Sequence, residues 1–584
     1  GPVVLLALMA GCGDLAMEAD RVPGSLTVAP LDTLILQGEG AQLRVTVLDQ
    51  DGEPFQSYPS WAPPRWTPSD SAAVAISPDG QVEGLAGGDV RVQATLGGLS
   101  AWTNVRVNPL SVVVSAPAVY LIQATQNLAG DVPIVAGRRA LLRVFTTGDR
   151  ASFYQPRARA TFYIGGDEVY SVMMDSGSDQ IPQVVDESRI DRSFNAVIPG
   201  DVLRPGVEMV VDLNADDGVP AGPGSQTRVP AEGRMALDVR ALPRMDLTVV
   251  PVLLASDPDP QIFNWTRDLD PEGSTIRFAR SVLPIGDLDV EVRDPYTTTA
   301  DLTTGPGWNS FLRELRVLRV EEGSDRYYYG AVVIPRGSRY GGLGYLGAPI
   351  SVGAPRVETL AHELGHNLSL RHAPCGSVAS SDPNFPYGGG STGAWGYDFR
   401  GGSGIGWLVS PKLHKDLMGY CTPRWVSDYH FKKALNFRLE EEGTAVSPPP
   451  REVLLLWGSA GGGELLLEPI FVLDAPPVLP TEDGPYRLDG YDADGTQRFS
   501  ISFAPTEVAM GGGHFAFAVP VEADWAEDLG AVTLTGPEGV VTVDRSTRLG
   551  RMALVTDGDT GRIRAILRDG ATPGPVAPRG EVVY

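Results

Sequence analysis

Three of the chain's six histidines fall in one short stretch, AHELGHNLSLRH, at residues 361–372. Neutral imidazole is the commonest metal ligand among the side chains. On a helix, His362 and His366 lie one turn apart on one face, within reach of a single ion. Glu363 sits beside the pair but not on the same ray. That placement suits a carboxylate that holds and deprotonates water on the metal, not one that ligates the metal itself. A hydrolytic zinc site also needs a third protein ligand and an open position. His372 is the candidate, but a continuing helix would carry it to the wrong side, so the chain must turn sharply after Leu368. The chemistry implied is hydrolysis by a metal-activated water with Glu363 as general base. A plan with a glutamate ligand further along has no candidate, because no glutamate occurs between Glu363 and Glu440. Asp382, Asp398, Asp416 and Asp428 remain as substitutes for His372.

The stretch resembles the metzincin pattern H-E-x-x-H-x-x-G-x-x-H, with one departure. Ser369 stands at the family's glycine, where a left-handed backbone is expected, at a cost on the order of 1 kcal/mol. The resemblance implies a methionine turn beneath the metal, and HKDLMGYC supplies Met418. In astacin-like and serralysin-like relatives a tyrosine two residues later lies near the zinc and stabilises the oxyanion. Tyr420 occupies that position here; a packed core tyrosine is the alternative. Cys375 lies three residues past His372 and Cys421 three past Met418. A disulfide between them would pin the third-ligand loop to the methionine turn and contribute about 4 kcal/mol; two free thiols are the other reading. AHELGHNLSLRHAPCG, GAWGYDFR and HKDLMGYCTPRWVSDYHFKKAL together resemble secreted bacterial metzincins that include mucin-cleaving zinc proteases. That resemblance implies one catalytic zinc ion, endopeptidase activity and a substrate lying along a sheet edge. GGLGYLGAPISVG is the candidate edge, which a peptide would join by strand addition.

Positioning these residues calls for an α/β unit with a mixed sheet, read over residues 244–442. MDLTVVPVLLA, DLDVEVRDPY and YYYGAVVIPRG read as strands. GWNSFLRELRVLRVEEG carries Phe311, Leu312, Leu315 and Leu318 at helical spacing. Residues 25–109 alternate strand runs with the turns DQDG and SPDG, an order similar to a group 2 bacterial Ig-like domain. Residues 110–243 read as a second β-sandwich. EEGTAVSPPPRE marks a Pro-rich linker at 443–450, and 451–584 read as a C-terminal β-sandwich. The fold class expected is multidomain, an α/β mixed-sheet domain that the resemblance makes a metzincin catalytic domain, flanked by all-β sandwiches.

Composition bounds the partners. Glycine (69) and proline (49) are abundant, which favours short strands and turns. The formal charge of −25 argues against nucleic acid or an anionic membrane surface, since both need basic patches. Residues 1–24 read as signal and tether. GPVVLLALMAGCGD looks like the apolar core of a secretory signal, too short to span a bilayer. LMAGC resembles a bacterial lipobox, with Cys12 as the lipidated residue. The expectation is an exported protein, lipid-anchored in the cell envelope or on the cell surface, otherwise secreted. Any membrane contact would run only through that anchor. The function expected is a zinc-dependent endopeptidase acting on extracellular proteins or glycoproteins. The alternative is a surface adhesion lipoprotein carrying a decayed protease domain.

Overall fold

The computed structural model describes residues 21–55, 63–175, 177–267, 269–400, 406–441, 447–522, 528–547 and 549–569, and the backbone of 580–583. Cys12 and the apolar run before it lie outside the described residues. Among the described residues no helix is long and apolar enough to cross a membrane.

The first part of the chain is β structure with its own core. Gly88–Leu96 hairpins onto Leu99–Asn108, which Asp32–Leu36 joins in parallel. Alternation drives this packing: Val90, Val92 and Ala94 on one strand and Val105 and Val107 on its partner are all fully buried. A second β region follows. Val114–Ile122, Ala140–Gly148 and Phe194–Ile198 form one sheet, and Arg157–Ile164 lies inside another. Leu142, Val144, Phe162, Met209 and Val211 fill the core between them. This region reaches forward into the next. Thr125–Gln126 pairs antiparallel with Trp395 and Gly396, and Ala124, Val132 and Val135 enter the core that underlies the histidine helix.

The α/β unit is built on a long mixed sheet. Its elements are β1 (Met245–Leu254), α1 (Ser274–Val282), β2 (Leu288–Val292), β3 (Tyr296–Thr298), α2 (Gly305–Glu321), β4 (Tyr327–Val332), β5 (Gly342–Gly344), β6 (Ile350–Gly353), α3 (Val357–Asn367) and α4 (Asp428–Glu440). β1 is central and near-continuously apolar, as a parallel strand covered on both faces must be. β4 and then β6 extend the sheet in parallel on one side, and β5 closes it antiparallel as the edge. β2 and β3 pair with the other side of β1. The helices start where their sequence allows. Thr304 caps α2 by accepting from the Gly307 N–H at 3.1 Å, with proline in the first turn. Ser427 caps α4 in the same way through His430 N–H.

C-terminal to α4, β7 (Arg451–Gly461) pairs with β9 (Gly513–Pro520), which hairpins onto β8 (Thr506–Glu507). Their sheet packs on the outer face of α2, so Phe311, Leu315, Trp457, Ala516 and Ala518 share one core. Ion pairs reinforce the contact: the buried Glu468 is reached by the buried Arg313 at 3.2 Å and by the partly exposed Arg568 at 2.9 Å. The segment read as one C-terminal sandwich, 451–584, is in fact divided. β10 (Met552–Asp557), β11 (Ile563–Arg568) and β12 (Gly580–Val583) leave the sandwich and complete the α/β sheet, with β11 parallel to β3. Ile563, Ala565 and Ile566 are buried there. A short apolar run carries the same local signature in a sandwich and in a covered parallel sheet, and only the long-range pairing separates them.

Candidate metal centre and cleft

α3 rises from the end of β6 and carries His362, Glu363 and His366, all buried. It ends in a Schellman closure. The Ser369 N–H donates to His366 O at 2.9 Å and the Leu370 N–H to Gly365 O at 3.0 Å. The residue that reverses the chain is Ser369, whose φ is +65°. The serine thus takes the left-handed backbone expected of a glycine. The reversal returns His372 to the other two rings: the His366–His372 centroids are 4.6 Å apart and the His362–His372 centroids 5.4 Å. One nitrogen from each of the three lies within 4.8 Å of the others.

The tautomers follow from the hydrogen bonds. His362 Nδ1 faces Leu417 O at 2.9 Å, His366 Nδ1 faces Leu370 O at 2.7 Å, and His372 Nδ1 faces Ala379 O at 2.7 Å. A carbonyl only accepts, so each Nδ1 donates and each Nε2 keeps its lone pair. Burial, and then the His372 imidazole, push His362 down to about 3. Burial likewise holds His366 and His372 below the usual histidine range. Three neutral imidazoles with converging lone pairs fit a metal ion.

Two supports fix the third-ligand loop. Cys375 and Cys421 form a disulfide. Beside it, the Ala373 N–H donates to Met418 O and the Tyr420 N–H to Cys375 O. Met418 is fully buried under α3, and a Cβ on Gly365 would come 2.5 Å from its sulfur, so the helix needs glycine there. Asp416 anchors the turn from below. Its carboxylate accepts from Met418 N–H, Ser427 N–H and His430 Nδ1. Asp382, Asp398 and Asp428 are likewise engaged elsewhere, with Lys433, Arg400 and Tyr387. None of the four aspartates joins the histidine cluster.

Tyr420 is 42% exposed and its hydroxyl lies 3.3 Å from His372 Nε2. That exposure rules out a packed core tyrosine. Glu363 is 4% exposed, its Oε2 has no hydrogen-bond partner among the described residues, and burial raises its carboxyl well above the usual range. β5 passes directly over it. A Cβ on Gly342 would lie 2.4 Å from Glu363 Oε1, and one on Gly344 would lie 3.2 Å from His366 Cβ. The glycines of GGLG therefore let the edge strand approach the helix, a role the sequence reading did not give them. Centre and edge strand open onto a cleft of about 480 Å³, large enough for a few residues of peptide. Arg339, Arg356 and Arg424 line it, as do Ala509 and Met510 from the C-terminal sandwich. Those last two lie far along the chain and carry no local signal of their own.

A metallopeptidase is the class to which this stretch points: residues 324–416 match the family model described as Peptidase M66. A stretch of 61 residues is 44% identical to a "Dictomallein-like protein" of Hahella chejuensis (strain KCTC 2396), covering 10% of this chain and 10% of that protein. The chain thus spans about a tenth of the length of the curated relative it matches. Among solved structures it is similar to domains 4 and 5 of the S-layer protein SbsC, at 21% identity over 15% of this chain and 53% of that one, TM-score 0.13. It is also similar to the Yersinia pseudotuberculosis adhesin InvE, at 12% identity over 36% and 58%, TM-score 0.15. At scores this low nothing about the fold follows from either.

Proposed function

We propose that the chain is a zinc-dependent endopeptidase of the metzincin type, acting on extracellular proteins or glycoproteins. One observation carries this reading: three imidazole Nε2 atoms converge in a cleft that also holds a buried glutamate and an edge strand. Three histidines with a position left open are the donor set of a catalytic zinc. Zinc held by His362, His366 and His372 would supply Lewis acidity, lowering the pKa of water toward neutrality and polarising a peptide carbonyl. Glu363 takes the proton of the attacking water and passes it to the leaving amine as the C–N bond breaks. The Tyr420 hydroxyl donates to the oxygen of the tetrahedral carbon. The outward backbone groups of β5 align the substrate as an added strand. The strands of residues 25–109 are proposed as an Ig-like spacer, and Cys12 as the lipid attachment point of an exported protein.

Glu363→Gln tests the assignment. The variant is expected to keep stoichiometric zinc and to lose about 10²–10⁴-fold in chelator-sensitive casein cleavage. Comparable cleavage by the variant removes Glu363 from the mechanism. A wild-type protein that binds zinc and cleaves nothing supports the adhesion reading instead.

A further inference from the structure

The tip of the β8–β9 hairpin, residues 508–512, projects from the C-terminal sandwich onto the outer edge of β5. Pairing with β6 fixes which groups of β5 point outward. The Ala354 N–H donates to Gly341 O at 2.9 Å and the Tyr345 N–H to Ile350 O at 3.2 Å. Gly341, Leu343 and Tyr345 therefore face β6, and Gly342, Gly344 and Leu346 face away. Part of that outward edge is already taken. The Gly344 carbonyl accepts from Ala509 N–H at 3.0 Å, and the Leu346 N–H donates to Glu507 O at 2.9 Å. Tyr345 and Val508 form an antiparallel bridge. The groups left facing the cleft are both backbone groups of Gly342 and the Gly344 N–H.

The tip is held firmly. Val508 N–H to Gly512 O and Gly511 N–H to Val508 O close its turn. Gly511 and Gly512 take the positive φ that the turn requires, +103° and +79°. Arg371, the residue before His372, pairs with Glu507 through two bonds of 2.9 and 2.6 Å. Tyr345 OH meets His514 Nδ1 at 2.9 Å beneath the tip. Ala509 and Met510 then line the same cleft as Gly342, His362 and Glu363.

We propose that this hairpin tip is the end wall of the substrate cleft and that Met510 is a specificity-determining residue. The substrate is an extended peptide whose backbone pairs with Gly342 and Gly344 and stops at Ala509. One of its side chains packs against Met510. The half-buried thioether offers an apolar, deformable surface of limited room, so that side chain is apolar. The inference rests on the peptidase reading and adds to it a domain and a residue.

The test uses the full chain, zinc-loaded, with Glu363→Gln to hold peptides uncut. A random decapeptide library is passed over this protein and over versions that also carry Met510→Ala or Met510→Lys. Retained peptides are sequenced. The parent is expected to enrich apolar residues at one peptide position. Met510→Ala should admit Phe and Trp there, and Met510→Lys should shift the same position toward Asp and Glu by roughly ten-fold. Identical preferences at every position in all three proteins overturn the wall. The peptidase reading is scored separately, by cleavage of the same library with protein that retains Glu363. Cleavage whose site profile ignores Met510→Lys sinks the wall alone. Absence of cleavage by the zinc-loaded wild type sinks the peptidase reading and the wall with it.

Discussion

Replacing Ser369 with glycine should stabilise the metal-site unit, and the size of the gain follows from the backbone. An L-residue held in the left-handed region costs roughly 1–2 kcal/mol. Ser369 pays that cost at φ +65°. Its hydroxyl has no hydrogen-bond partner among the described residues, so little is lost with the side chain. Glycine removes the steric cost but brings back about 0.5–1 kcal/mol of extra unfolded-chain entropy. The net gain expected is about 0.5–1 kcal/mol. For a cooperative unit of roughly 200 residues that raises Tm by about 1–4 °C. The assay is scanning calorimetry of the transition that chelation lowers, with Ser369→Ala as control. Alanine keeps the Cβ and should gain nothing. A glycine variant no more stable than the serine protein, or an alanine variant equal to the glycine one, refutes the argument that backbone strain is stored at this turn.

Three further outcomes are expected. Converting both Cys375 and Cys421 to serine should lower stability by about 4 kcal/mol in urea unfolding, and reductant should then have no further effect. Gly342→Ala should keep the metal by elemental analysis yet lose on the order of 10²-fold in peptide turnover, because its Cβ displaces the Glu363 carboxylate. Acid should destabilise the contact between the α/β unit and the C-terminal sandwich. Burial, and then the charges of Arg313 and Arg316, push His514 down to about 2, far below its unfolded value near 6.5. The unfolded chain therefore binds the proton first, and this one residue's contribution to stability falls by ~1.4 kcal/mol per pH unit below about 6.5. Urea unfolding at pH 7, 6 and 5 should show stability falling more steeply with acid in the wild type than in His514→Asn, the difference between the two being this residue's share.

The parts of the centre that were legible in the sequence are those given by local spacing or, for the methionine turn, by the metzincin resemblance. The two histidines one helical turn apart, the forced turn after Leu368, the cysteine partners and the methionine below all lie within one stretch of chain. The left-handed backbone at Ser369 is the one the metzincin resemblance implies, and Cys375 and Cys421 are bonded, the reading preferred to two free thiols. Tyr420 stayed open at the sequence level because a tyrosine fits a core and a cleft equally well, and only its exposure separates the two. The carbonyls of Leu417, Leu370 and Ala379 orient the imidazoles but belong to backbone, which leaves no mark in residue type. Met510 reaches the cleft through the Tyr345–Val508 bridge, and β11 reaches the far side of the α/β sheet by pairing with β3, both across more than a hundred residues. Neither hydrophobic period nor turn chemistry encodes such a register.

The seat of β11 beside β3 also sets an order of events during synthesis. A growing chain makes the histidine helix long before residues 563–568 leave the ribosome. Until they arrive, Tyr296–Thr298 has β1 on one side but no outer neighbour, and the α/β sheet stays open there. The sheet that carries the histidine helix is thus begun by early residues but completed by late ones, and a nascent or prematurely terminated chain holds the three histidines without the full sheet beside them.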